Sequence, residues 1–267
     1  MDTRSDHVVD WTARTGGDAV PAVDDQVRLP GAGDIHELRR RKLEATQRLL
    51  GDTIAIDEAS WQQPSLLPGW TRAHVASHLA RNADALSRVF DGRYRGIPTP
   101  LYVSESERLY DIERGSERSA LDLQIDLDTS AGRLHRSLDV LESSGGAELV
   151  ELTPGRMMRM DLLPLARLRE VVLHHIDLDS GFTVADVDDD IARWVLEWTC
   201  YWISSDPRIP AMQIESTSGF HTRLGPPRRP IAVGGTDAVL LGWLTGRLPP
   251  ADPAVQRFPR LPEGWRA

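Results

Sequence analysis

The chain has 267 residues, 40% of them hydrophobic and 27% charged, with a formal net charge of −9. That length suffices for one large core or two modest ones, and the acidic balance repels phosphate backbones and anionic lipid, so neither nucleic acid nor membrane is expected as a partner. No run approaches the roughly 20 apolar residues of a membrane span, the opening residues lack the apolar stretch of a secretory signal, and a single cysteine, Cys200, allows neither an internal disulfide nor a cysteine-based metal cluster. A cytoplasmic location is the expectation.

Residues 1–33 are rich in Asp, Gly, Thr, Arg and Pro without a sustained period, and read as a mobile extension. A helix is expected to open near Asp34, with Ile35, Leu38, Ala45 and Leu49 near helical spacing and Gly51 at its end. A turn at Pro68-Gly69 leads to Thr71, an N-cap for a second helix that runs to Asp91-Gly92. Residues 104–142 read as largely helical, carrying the stripe Ala120, Leu123, Leu127, Ala131, Leu134 and Leu138 until Ser143-Ser144-Gly145-Gly146 breaks it. The stretch from Ala147 to Leu162 is irregular or a hairpin. A further helix starts near Pro164 and stops at Gly181. After about residue 186 come an apolar helix (IARWVLEWTCYWI), three short β-like runs (MQIEST, HTRLG, PIAVGG) and a last helix, DAVLLGWLTGR. The expected fold is mainly α with α+β. A four-helix bundle over 34–183 is followed by a smaller α+β domain over 184–267.

Arg167, Glu170, His174 and Asp177 fall on one face of the helix after Pro164, at spacings of three, four and three. The rest of that helix is apolar, so the stripe needs partners if it is buried. A metal supplies them. A carboxylate and an imidazole suit zinc, and a catalytic site wants three protein ligands and one open position. His74 and His78 lie four apart on the second helix, and His78 sits in the apolar stretch VASHLA, where it could supply the third ligand. A salt-bridged exterior or an interhelical contact explains the same stripe without a metal. His175 faces elsewhere, and Cys200 lies among Trp194, Trp198, Tyr201 and Trp202 as a small core residue. The chain carries no nucleophile elbow, P-loop, dinucleotide fingerprint or H-E-x-x-H motif.

The segment LLPGWTRAHVASHLARNADAL resembles the signature of the mycothiol-dependent maleylpyruvate isomerase family, a branch of the DinB-like metal-binding helical bundles. SESERLYDIERGSERSALDLQIDLDTSAGRL, TPGRMMRMDLLPLARLREVVLHHIDL and VGGTDAVLLGWLTGR fit it too, in order from about residue 34 to 250. The resemblance implies a divalent metal held by His78, Glu170 and His174, and mycothiol as a thiol cofactor. It also implies an arginine important for activity in the small C-terminal domain, matched here by Arg247. Arg81 and Asn82 would bind the cofactor's sugar and carboxylate groups if their helix enters the site; a surface pair is the plain alternative.

The implied mechanism uses zinc to hold the thiol as thiolate. The thiolate adds to the double bond of maleylpyruvate, the resulting single bond rotates, and loss of the thiol gives fumarylpyruvate, with Arg247 on a carboxylate or the developing enolate. The alternatives are a mycothiol S-transferase acting on another electrophile and a non-catalytic metal-binding or interaction module. The expected partners are a small-molecule thiol and its electrophile, in a monomer or homodimer.

Overall fold

The computed structural model describes residues 34–97, 99–144, 149–153, 156–204, 206–262 and 265; the expected mobile extension over 1–33 and the glycines expected to break the chain at 145–146 lie outside them. Among the described residues the chain forms α1 (Ile35–Thr53), α2 (Glu58–Trp61), α3 (Arg72–Tyr94), α4 (Glu105–Ser116), α5 (Ala120–Ser144), β1 (Leu149–Thr153), β2 (Arg156–Arg159), α6 (Leu163–Asp177), α7 (Asp189–Ile203), β3 (Met212–Ser216), β4 (His221–Leu224), β5 (Ile231–Gly235) and α8 (Asp237–Leu244). It is mainly helical with small sheets, as expected. The elements gather into two compact units: one is Asp57–Met160, and the other joins the described residues up to Ile56 to Asp161 and all that follows. The units cut across the division at 184, which stays a reading of the sequence.

In the first unit α3 is the spine. Thr71 caps it by accepting from the His74 backbone N–H, and the His74 imidazole Nδ1 accepts from the Thr71 N–H at 3.2 Å, a capping box built with histidine. This role, with a 3.0 Å contact from His74 Nε2 to Glu113, accounts for His74. Ala73, Ala76, Leu79, Ala80, Ala83 and Leu86 are buried, and α3 packs on α5. On α5 the predicted positions Leu123, Leu127, Leu134 and Leu138 are all buried. Gly115 of α4 meets Ser77 of α3 so closely that a Cβ there would lie 2.1 Å from Ser77 Oγ. The stretch read as irregular or a hairpin is an antiparallel hairpin, with Val150 opposite Met158.

In the second unit Asp34 caps α1, accepting from the His36 and Glu37 N–H groups at 3.0 and 3.2 Å. The helix runs past Gly51 to Thr53 and packs on α6. Arg41 pairs with Asp188 at 3.2 Å and with Asp190, and Arg48 donates to the Asp186 carbonyl, so α1 is tied to the segment entering α7. Three strands follow in the order β4-β3-β5, with β3–β4 antiparallel and β3–β5 parallel. α8 packs on α7, where Cys200 is 3% exposed. Burial pushes its thiol pKa far up, the condition of an inert core cysteine.

Candidate metal and thiol site

Three residues of the α6 stripe, Glu170, His174 and Asp177, touch in a row, and Arg167 is buried. α6 starts at Leu163 with Pro164 in its first turn, where a missing N–H costs nothing. Its apolar positions Leu165, Leu168, Val171, Val172, Leu173 and Ile176 are all buried, which leaves Glu170 and His174 one turn apart on the polar line. His174 Nε2 lies 3.3 Å from Glu170 Oε2, and His174 Nδ1 lies 2.9 Å from Asp177 Oδ2. Asp177 is fully buried. The alternative of a salt-bridged exterior therefore fails for the C-terminal half of the stripe.

The proton positions follow from the partners. An ionised carboxylate only accepts, so Nδ1 carries the hydrogen donated to Asp177. That leaves Nε2 beside the Glu170 carboxylate with its lone pair toward an acceptor. Two acceptors at 3.3 Å need a positive charge between them, either a proton on Nε2 or a metal ion. The imidazole's pKa reflects this: burial alone would lower it, but hydrogen bonds and charge from Asp177 and Glu170 outweigh that and raise it. An imidazole whose second nitrogen is fixed by a carboxylate is the usual arrangement of a metal-ligating histidine. The residues present thus fit a divalent cation.

Arg247 joins the same cluster. It follows α8 by three residues, after Gly246 in the left-handed region at φ 71°, and is 4% exposed at its side chain. Its Nη2 and Nε donate to Asp177 Oδ2 and Oδ1 at 2.6 and 3.2 Å, and its Nη1 donates to the Thr245 carbonyl at 2.8 Å. Burial alone would raise the Asp177 pKa, but the Arg247 charge and the His174 hydrogen bond pull it down to about 2. Arg169, unremarked in the sequence, donates to Glu170 Oε1 at 2.9 Å. Burial and the like charge of Arg247 push its guanidinium below its ordinary value. Two arginines and one acidic helix face make a buried charged cluster of a kind found at functional sites.

On the first unit His78 is 4% exposed, with its ring centroid 5.7 Å from that of Trp70. Arg108 of α4 places Nη2 3.5 Å from His78 Nδ1, pairs with Glu105 at 2.7 Å and stands over the Tyr102 ring at 5.5 Å. Asn82 is buried, with Nδ2 3.5 Å from the Tyr102 hydroxyl. Arg81 is bound to Asp126 at 2.6 Å and Asp84 at 3.1 Å, so its charge is already met. Arg108 and Tyr102 escaped notice because they come from a loop and a different helix, and no spacing rule connects them to α3. His175 is buried with its ring stacked on Phe182 at 4.0 Å and its Nε2 3.0 Å from Asp52 Oδ2.

A family model described as the mycothiol maleylpyruvate isomerase N-terminal domain matches residues 42–179. His78, Glu170, His174 and Asp177 fall inside that span, and Arg247 lies beyond it. Two solved structures are similar: a mycothiol-dependent maleylpyruvate isomerase and a histidine-to-alanine mutant of it. Each is 25% identical, with a TM-score of 0.74, over 80% of this chain and 90% of theirs. The comparison with curated proteins gives no match. The family model spans more than half of the chain, and the fold agrees over most of it. The chain therefore belongs to the mycothiol maleylpyruvate isomerase family, a family of enzymes.

Proposed function

We propose that the protein is a zinc-dependent enzyme that activates mycothiol and isomerises maleylpyruvate to fumarylpyruvate. The observation that supports it most is the His174 imidazole, held at Nδ1 by buried Asp177 and facing Glu170 through Nε2. In this reading Glu170, His174 and His78 hold the ion, with His78 as the third ligand that the family resemblance assigns. A zinc ion bound there lowers the pKa of a thiol and keeps it as thiolate at neutral pH.

The chain's own residues then divide the remaining work. Asp177 keeps the His174 proton on Nδ1, so Nε2 stays available as a ligand. Arg247 holds a substrate carboxylate, or the enolate oxygen that develops as the thiolate adds and that collapses as it leaves. Asn82 offers an amide, and Arg81 the edge of its guanidinium, to the polar groups of the thiol cofactor. No described helix is long and apolar enough to cross a membrane; we place the reaction in the cytoplasm, with a small-molecule thiol and electrophile as partners.

The test is metal content of the purified protein, followed by maleylpyruvate turnover with and without mycothiol. One zinc per chain and turnover that requires the thiol is the expected result. Zinc without isomerisation would assign the same thiolate chemistry to an S-transferase. Protein that binds no metal, never having met a chelator, would defeat the reading.

A further inference from the structure

Two claimants meet at the Asp177 carboxylate. Its Oδ2 accepts from both His174 Nδ1 and Arg247 Nη2, at 2.9 and 2.6 Å, while Oδ1 accepts from Arg247 Nε at 3.2 Å. The residue is 0% exposed, so no solvent can replace either partner. Arg247 is similarly enclosed at 4%. The two claimants come from distant parts of the chain, one on α6 and one beyond the end of α8. A single buried anion therefore fixes both an imidazole tautomer and a guanidinium.

We propose that Asp177 is a positioning residue that orients His174 for metal binding while holding Arg247, and that a side chain with a single oxygen in its place sets the two partners in competition. The inference rests on the proposed metal site and extends it. A carboxylate serves both partners because it has two oxygens and about four lone-pair sites. An asparagine of the same shape has one oxygen and an NH2 group. The buried guanidinium, which already directs Nε and Nη2 at this side chain, takes that oxygen. The NH2 group then faces His174 Nδ1, and the imidazole loses the acceptor that fixed its tautomer. Metal affinity falls although no ligand has changed. Removing the guanidinium frees the asparagine oxygen for His174, so a second substitution should mend the first.

Zinc affinity of the 267-residue protein, read by competition with a chromophoric chelator, tests this without reference to turnover. Asp177→Asn should weaken zinc by about 10–100-fold, the usual effect of losing a ligand's hydrogen-bond partner. Adding Arg247→Met, which has similar reach and no donor, should recover at least about tenfold of that loss. Asp177→Asn with unchanged zinc affinity would overturn the proposal, as would a double variant as weak as the single one. If Asp177→Asn does not fold, Arg247→Met removes the buried guanidinium that has lost its carboxylate. The comparison is then Asp177→Asn/Arg247→Met against Asp177→Ala/Arg247→Met. The alanine form lacks the acceptor that residue 177 offers to His174 Nδ1 and should bind zinc about 10–100-fold more weakly; equal affinities would overturn the proposal. Wild-type protein that binds no zinc defeats the proposed function as well, whereas wild-type binding with unaffected variants defeats the positioning role alone.

Discussion

His174 and Arg247 answer to the same buried carboxylate but have different tasks, and single substitutions separate them. His174→Ala removes a proposed ligand and should abolish both bound zinc and thiol-dependent turnover. Metal analysis and an activity assay on the same sample check this; full activity in metal-loaded His174→Ala protein would contradict it. Arg247→Lys keeps a cation against Asp177 but loses the two-point guanidinium grip. It should retain zinc while turnover falls about 10²-fold or more, the scale of losing one oriented donor at a developing anion. Truncation to alanine is the poorer probe, because an uncompensated buried charge costs about 3–5 kcal/mol and confuses folding with catalysis. At this scale the sequence was informative wherever residues share a helix face. Glu170, His174 and Asp177 could be read from spacing. Arg169 could not, since a residue adjacent in sequence points elsewhere on an ideal helix, and only a long flexible side chain brings it back to Glu170.

At the scale of elements, the close approach of α4 to α3 is the most exacting contact in the first unit. Gly115→Ala would place its Cβ 2.1 Å from Ser77 Oγ and 3.0 Å from Ser77 Cβ, and overpacking of this kind typically costs about 1–3 kcal/mol. Ser77 Oγ is buried with no hydrogen-bond partner among the described residues, so Ser77→Ala should be neutral or slightly stabilising. The pair Gly115→Ala/Ser77→Ala should then recover most of the loss; thermal midpoints of the four proteins check this, and a double variant no more stable than Gly115→Ala would refute it. The helices themselves were mostly legible. Asp34 and Thr71 are N-caps as expected, and period-3.6 burial on α5 matches the stripe read from leucines. The missed detail is where tertiary contacts decide. The region read as largely helical over 104–142 is two helices, α4 and α5, divided at residues 117–119, and α2 is only four residues long. The parallel pairing of β3 with β5 carries no local signal, because strand order is set by the packing of whole elements.

Within the second unit the candidate site draws on widely separated parts of the sequence. α6 supplies the carboxylates and the imidazole, and the chain beyond α8 supplies Arg247. Family resemblance connected Arg247 to the site, since periodicity says nothing about contacts between residues 70 positions apart, the separation of Arg247 from Asp177. The acidic composition was read as excluding nucleic acid, and it has no bearing on this chemistry, which depends on a few buried charges. Metal removal is the global test. Dialysis against a strong chelator should abolish thiol-dependent turnover, and stoichiometric zinc should restore it, because the proposed ligands are side chains of a folded core. Melting curves with and without zinc should show the loaded form as the more stable, by mass action on the native state; identical curves at saturating zinc would contradict binding to the fold.

The burial of Cys200 has a consequence for any thiol that the protein handles. Small thiols in cells pass continually into their disulfides, and a disulfide traps proteins by exchange with an accessible cysteine thiolate. This chain has one cysteine, placed inside α7 at 3% exposure with its ionisation suppressed. It offers no attacking group, so an oxidised cofactor pool starves the protein of its reduced thiol without modifying the protein itself. Native protein incubated with a small-molecule disulfide should keep its unmodified mass, and activity should return as soon as reduced thiol is supplied.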